Sequence, residues 1–399
     1  TGSSLKTYQA EQLTQILQAE DARSQSILLL IEALGRSQII SYNEFGMRLL
    51  HLTAQVLPDS GSINLKIGVY SLLNDQSEGV MYLHRAKQIS ADSAPVLQAL
   101  YIACQDLGQI EYAQQWLNFA RQLAQQHPNS LEWRWTDLEV NSPFTYVPFE
   151  TQLLLAVEPR FYGCITSSVL IAEKDWFEKE MEFWRSAIAP GMTVIDVGAN
   201  VGVYTFSAAL RVGSQGHVLA VEPFSGCVSY LQETCRINHL NWVKVCAGAA
   251  SDRSGTVRLS LSPASELNKI ATGEAGAEMQ PDCFEEVTCF TLDSLIEQEN
   301  LSRVDFLKID VEGHELSVLT GSDRILSEFA PVIMYENIVA GSKDSNLPVA
   351  DYLRGKGYRL FRYQPYLHNL IPLNSAEELH GNMNIIALPP NQSYLLTQE

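Results

Sequence analysis

The chain has 399 residues, of which 46% are hydrophobic and 18% charged, and its formal net charge at pH 7 is -19. That length allows two or three domains, and that composition excludes a disordered chain. So large an acidic excess also excludes a broad basic face for duplex nucleic acid, because neutralising phosphates takes clustered Lys and Arg.

From Glu11 to Glu139 the apolar residues recur at three- and four-residue spacing, which predicts helices throughout. The run "SILLLIEAL" contains Glu32 and falls short of the roughly 18 apolar residues a membrane span needs, so no membrane span is expected; Gly35 reads as a helix stop. "YLHRAKQISADSA" and "WLNFARQLAQQHP" superimpose, with Tyr82 on Trp116, Leu83 on Leu117, Ala86 on Ala120 and Ile89 on Leu123. That offset is the tetratricopeptide period, in which small alanines let paired helices pack closely, and Gly108 supplies the turn within one unit. A degenerate third unit is expected around "RLLHLTAQVLPDS". Dimerisation or protein docking is the role expected of such repeats. The expected division is a helical tetratricopeptide-like domain over 1–140, a linker and entry segment over 141–175, and a second domain over 176–399.

The pattern changes after "NSPFTYVPF". Short β-branched runs then alternate with helical stretches, as in a doubly wound parallel sheet of an α/β domain. "TVIDVGA", "HVLAVEP", "WVKVCAGAA", "VDFLKIDVE" and "APVIMYEN" are the expected buried strands. "GTVRLSLS" and "EEVTCFTL" read as an extra strand pair around a small-residue loop, and "YRLFRY" with "MNIIALP" as a closing C-terminal antiparallel hairpin. Seven scattered cysteines without a C-x-x-C pair suggest neither zinc nor a disulfide framework, and a reducing, cytoplasmic setting is expected.

The first of these strands runs into Asp196, Gly198, Asn200 and Gly202. A strand, a glycine loop and a helix bring backbone amides close to a ligand at a topological switch point. A dinucleotide or P-loop site would present amides or lysine to an anion. Here the carboxylate of Asp196 stands ahead of the glycines, which suits a ligand with an ammonium group. No Walker lysine and no G-x-G-x-x-G spacing is present, which disfavours ATP and NAD(P). Glu222 ends the next strand, where an acidic side chain accepts hydrogen bonds from a ribose diol. One ligand has a ribose diol for Glu222, an ammonium for Asp196 and a carboxylate for the loop amides. It is S-adenosyl-L-methionine.

Together, "VIDVGANVGVYTFSAA", "VLAVEPF", "AGAASDRSGTVRLSLS", "FTLDSLI" and "VDFLKIDVEGHELSVLTGSDRIL" resemble the FkbM-type methyltransferases, in that family's motif order. The resemblance runs from about Trp176 to the last strand. It implies a class I, Rossmann-like methyltransferase fold and methyl transfer to oxygen, commonly a hydroxyl of a sugar or a polyketide-like metabolite. It also implies that "SDRSG", with Ser251 and Asp252, is the turn near the adenine; a plain polar turn is the alternative.

Class I folds bind substrate beyond the carboxyl ends of the central strands. Asp310, Glu312 and His314 follow one strand there, and Glu336 ends the next. A hydroxyl far from its pKa gains from a base as it attacks. His314 is the first candidate for that base, Asp310 an orienting group, and Glu336 either a hydroxyl-binding group or the base instead. Lys308, inside a strand, needs a carboxylate partner, with Asp196 or Glu336 in reach. Asp310, Glu312, His314 and Glu336 are the set a Mg²⁺ ion would use, but their spacing is not diagnostic and no metal is expected. "EKDWFEKEMEFW" is expected to pack through Trp176, Phe177 and Trp184, with Glu180 within reach of the loop. The leading expectation is a methyltransferase for a small hydroxylated or sugar-containing substrate. The alternative is an interaction protein whose repeats bind a partner and whose cofactor domain does no chemistry.

Overall fold

The computed structural model describes residues 44–57, 59–139, 142–262, 265–270, 284–337 and 345–390. The helices expected before Glu44, with "SILLLIEAL" and Gly35, lie outside the described residues, as do most of the small-residue loop and Cys283. By its internal contacts the chain divides into two units, Thr1–Val140 with Pro159–Glu173 and Asn141–Glu158 with Lys174–Glu399. The stretch 141–175, expected as a linker, is therefore shared out between them rather than standing apart.

The first unit is helical, with α1 (Glu44–Val56), α2 (Gly61–Leu73), α3 (Gly79–Ile89), α4 (Ala94–Asp106), α5 (Ile110–Ala124) and α6 (Ile165–Glu173). Ser60 starts α2 by accepting the Ile63 N–H on its hydroxyl at 3.3 Å. Helices α2 and α3 meet backbone to backbone: a Cβ on Gly79 would lie 2.4 Å from the Gly68 carbonyl oxygen. Leu83 and Ala86 on α3 are buried, and so are Leu117 and Ala120 at the matching places on α5. Gly108 takes φ +69° between α4 and α5, a left-handed turn that glycine enters without strain. The Lys66 ammonium (2.5 Å) and the Tyr70 hydroxyl both donate to Glu173, which ties α6 to α2.

The second unit begins with a hairpin that the sequence reading did not anticipate, β1 (Thr145–Phe149) against β2 (Leu153–Val157). It is followed by α7 (Glu180–Ala187), β3 (Thr193–Val197), α8 (Val203–Val212), β4 (His217–Glu222), α9 (Ser225–Asn238) and β5 (Val243–Ala247). The outer hairpin strand leans on α9, where Thr234 and Asn238 accept the Ala156 and Leu154 amides at 2.9 and 3.0 Å.

At Gly248 the chain leaves the main sheet for a smaller one, built from β6 (Ala249–Ala250), β7 (Gly255–Ser260), β8 (Lys269–Ile270) and β9 (Phe284–Phe290). The expected extra pair is there: β7 runs antiparallel to β9. Helix α10 (Leu292–Gln298) leads back to β10 (Phe306–Ile309), α11 (Glu315–Thr320) and β11 (Val332–Glu336). Helix α12 (Leu347–Gly355), β12 (Arg359–Gln364), β13 (Asn369–Pro372) and β14 (Asn384–Leu388) close the unit.

The main sheet has the order β13-β12-β14-β11-β10-β3-β4-β5. Strands β3, β4, β5, β10 and β11 are parallel, and β14 enters antiparallel beside β11. This is the expected class I α/β sheet. The closing hairpin differs from expectation, since β12 and β14 do pair but β13 intervenes in sequence and pairs on the far side of β12, and "WVKVCAGAA" is split at Gly248 between the two sheets. The chain winds outward from β3 to β5 and returns beside β3 as β10, so the switch point lies between β3 and β10. Ile195, Val197, Leu219, Leu307, Ile309 and Ile333 fill the core on one face. On the other face Asp196 and Lys308 stand in register, side by side on neighbouring strands.

Candidate active site

The glycine loop is shaped by what crowds it. Gly198, Asn200 and Gly202 all have positive φ, +78°, +50° and +93°. A Cβ on Gly198 would lie 1.7 Å from the Asp310 carbonyl oxygen, so the loop rests directly on the end of β10. On Gly202 it would meet the Phe206 ring at 2.4 Å. The loop amides are spent on the end of β4 and on the loop itself. Gly198 and Ala199 donate to the Val221 carbonyl at 2.9 and 3.2 Å, and Gly202 to the Ala199 carbonyl at 2.8 Å. Asn200 donates to Glu222 Oε2 at 2.8 Å, and Val201 to Asn200 Oδ1 at 2.6 Å. A ligand carboxylate, expected to lie against these amides, would find each of them already engaged.

Glu222 is buried and accepts a second amide, that of Phe224, at 2.9 Å. Burial pushes its carboxyl up to about 7, although the Phe224 and Asn200 amides favour the charged form. A carboxylate has about four lone-pair positions, so two remain for hydroxyl donors. Asp196 is fully buried and accepts the Thr205 hydroxyl at 2.6 Å. Its other oxygen has no hydrogen-bond donor, and the Lys308 ammonium stands 3.8 Å from it. The cation that the sequence pattern asked for beside Asp196 is thus supplied from inside the protein.

Lys308 also donates to Asp310 Oδ2 at 2.9 Å and lies 4.7 Å above the centre of the Tyr204 ring. Burial works against its charge, but Asp310, Asp196 and Glu178 outweigh it and raise the pKa. Of the two partners expected for Lys308, Asp196 is the one in contact, and Asp310 is added.

On the acceptor side, carboxylate oxygens of Asp310, Glu312 and Glu336 lie within 4.8 Å of one another, a spacing that could hold a cation. His314 is not with them. Its Nε2 sits 3.0 Å from the Ser251 hydroxyl, which is 3.2 Å from Asp252 Oδ1. The structure therefore groups His314, Ser251 and Asp252, and separately Asp310, Glu312 and Glu336. Burial lowers the His314 pKa, with Asp252 opposing and Arg253 adding to the effect. Burial, then Asp310, Glu312 and Glu315, push Glu336 up to about 10 against the pull of Lys308. One oxygen of Glu336 is buried without a hydrogen-bond donor. Glu315 holds the turn: it accepts the Gly313 amide at 2.9 Å and the Asn346 side chain at 2.9 Å.

Sequence reasoning passed over three residues. Glu178 accepts from the Tyr204 hydroxyl at 2.7 Å, the Asn384 side chain at 2.9 Å and the Trp176 indole at 3.0 Å. Glu178 is one acidic residue among several in its stretch, and Tyr204 and Asn384 sit in apolar runs, so no spacing singles them out. Glu180, expected near the loop, is buried and pairs with Lys179 at 3.7 Å.

Residues 196–360 match the methyltransferase FkbM domain. The chain carries an FkbM methyltransferase domain. Its glycine loop, the Glu222 strand end and the Asp310 turn all fall within that match. The methyltransferase sdnD of Sordaria araneosa is 30% identical over 157 residues, which cover 33% of this chain and 60% of that protein. Methyltransferase 1 of Beauveria bassiana is 26% identical over 187 residues, 43% of this chain and 74% of that one. The chain thus spans less than two thirds of the first relative's length. The crystal structure of methyltransferase FkbM from Methylobacillus flagellatus KT covers 56% of this chain and 53% of its own, at 15% identity and a TM-score of 0.34. Among the described residues no helix is long and apolar enough to cross a membrane.

Proposed function

We propose that the protein is an S-adenosylmethionine-dependent O-methyltransferase acting on a hydroxyl of a sugar or a glycosylated small metabolite. The observation that carries this reading is the placement of Glu222, buried yet with lone pairs to spare, beside a glycine loop pressed against the end of β10. The residues fit the ribose end of the cofactor. Glu222 would accept the ribose hydroxyls, Gly198 and Gly202 add no side chain to the loop, and Asn200 folds its own back onto the Val201 amide. Asp196 acts from beneath, holding Thr205 on α8 and Lys308 on β10. Ser251 and Asp252, with His314 against them, form the turn assigned to the adenine end. When bound, S-adenosylmethionine supplies a methyl group on a sulfonium.

The protein's own work is at the acceptor. Asp310 as a carboxylate accepts from a hydroxyl donor, while Glu336, held protonated by burial and its acidic neighbours, has an O–H to donate to a hydroxyl oxygen. Asp310, with its counter-charge on Lys308, receives the hydroxyl proton as the new bond forms, and Glu336 and Glu312 orient a neighbouring hydroxyl. His314, tied to Ser251, is left a supporting part. No step requires a metal. The tetratricopeptide-like unit is assigned to dimerisation or docking.

The test is transfer of label from methyl-labelled S-adenosylmethionine to a panel of sugars and glycosides. Labelled product is the expected result. Cofactor binding without transfer to any hydroxylated acceptor would instead favour the interaction-protein reading.

A further inference from the structure

The methyltransferase reading leaves unexplained why one carboxylate, Glu178, gathers three side-chain donors at the edge of the acceptor site. Tyr204 is 3% exposed, and its ring is packed edge-on against Trp184 at 5.3 Å. A phenylalanine would fill the same place without burying a hydroxyl, so packing alone does not call for the Tyr204–Glu178 bond. The bond fixes the edge of the ring over whose face Lys308 lies. Lys308 in turn holds Asp310 at 2.9 Å. The same oxygen, Oε2, also accepts from Asn384, which pairs in register with Glu336 across β14 and β11, while Trp176 donates to Oε1. One side chain outside the regular elements thus ties together the two places that present Asp310 and Glu336.

We propose that Glu178 and Tyr204 are positioning residues, which set the Lys308 ammonium and through it the orientation of the Asp310 carboxylate toward the acceptor. This rests on the methyltransferase reading. Neither residue touches the reacting atoms. Their effect is on turnover, because a carboxylate swung away from the hydroxyl costs rate while the cofactor's own contacts stay in place.

The full chain is compared with its Tyr204→Phe, Glu178→Leu and Trp176→Phe variants, together with the Glu178→Leu/Tyr204→Phe double variant. Turnover is measured beside cofactor affinity by titration calorimetry and thermal melting of each protein. Tyr204→Phe and Glu178→Leu, which leaves no acceptor for the Tyr204 hydroxyl, are expected to lower kcat about tenfold with cofactor Kd within about twofold of wild type. The double variant is expected to be no slower than the slower single one, since both break the same chain of contacts. Trp176→Phe removes the third donor to Glu178 without touching the path to Lys308, and its kcat is expected within about twofold of wild type.

Wild-type kcat in Tyr204→Phe overturns the proposal. So do fully additive losses, or a Trp176→Phe loss equal to that of Tyr204→Phe, which would make Glu178 an anchor for its own segment. Should Glu178→Leu fail to fold, Tyr204→Phe decides alone. A wild-type protein that binds no S-adenosylmethionine fails the underlying reading instead, and is told apart by the calorimetry.

Discussion

Glu222→Gln separates affinity from stability at the cofactor site. The carboxylate accepts Asn200 N–H at 2.8 Å and Phe224 N–H at 2.9 Å, one on each oxygen. Glutamine keeps the shape, but its amide nitrogen is a donor, so one backbone N–H then faces another donor. An unsatisfied buried donor costs about 1–3 kcal/mol. Against this, the native carboxylate is itself costly, because burial raises it from 4.5 to about 7. That shift amounts to about 3 kcal/mol of stability forgone above pH 7, which the neutral glutamine recovers. The two effects nearly cancel, so the melting temperature at pH 8 should change little. Affinity has no such offset. The ribose hydroxyls lose a charged acceptor and the loop loses its tether, for about 1–3 kcal/mol, or roughly 5- to 150-fold in Kd. Titration calorimetry with S-adenosylmethionine at pH 8, beside a thermal melt, reads both. A Kd within about twofold of wild type would refute the assignment of Glu222 to the ribose.

Other outcomes follow from the same contacts. Gly198→Ala should lower the melting temperature and abolish cofactor binding together, since its Cβ would lie 1.7 Å from the Asp310 carbonyl oxygen at a left-handed φ of +78°; an unchanged melt would contradict this. Asp310→Asn should reduce turnover by about a hundredfold or more, whereas His314→Ala, which frees Ser251, should cost less than about tenfold; the reverse order in steady-state rates would return the base to His314. Stability should fall as pH rises. Glu222 has a folded pKa above its ordinary value, so its contribution is whole below about 4.5 and is lost as pH climbs through about 7. Glu336, pushed up to about 10, extends that loss to higher pH. Melting temperatures from pH 5 to pH 9 should therefore decline, and a flat profile would show that these carboxyls are not buried as described.

The doubly wound sheet was legible because buried parallel strands read as short β-branched runs, and "TVIDV", "HVLAVE" and "VIMYE" stand where such runs predict. The hairpin at 145–157 was not, since Pro148 interrupts its first strand and its purpose, covering α9, is a tertiary matter. Within the site, the glycine positions were legible from backbone chemistry, but the pattern pointed to close approach of a ligand, whereas Gly198 is required by its left-handed φ and by the Asp310 carbonyl against it. Spacing could not tell which of four polar side chains after β10 turn inward. His314 and Asp310 are four residues apart in sequence, yet one bonds Ser251 and the other Lys308, because the left-handed turn at Glu312 and Gly313 separates them. The Glu178 contacts join three distant segments, and no local pattern encodes them.

Titration of the wild-type chain with S-adenosylmethionine and, separately, with NAD tests the central claim most directly. One-site binding of the first, lost in Glu222→Ala, and no heat with the second are the predicted results. Silence with S-adenosylmethionine, or uptake of the dinucleotide at that crevice, would contradict the account.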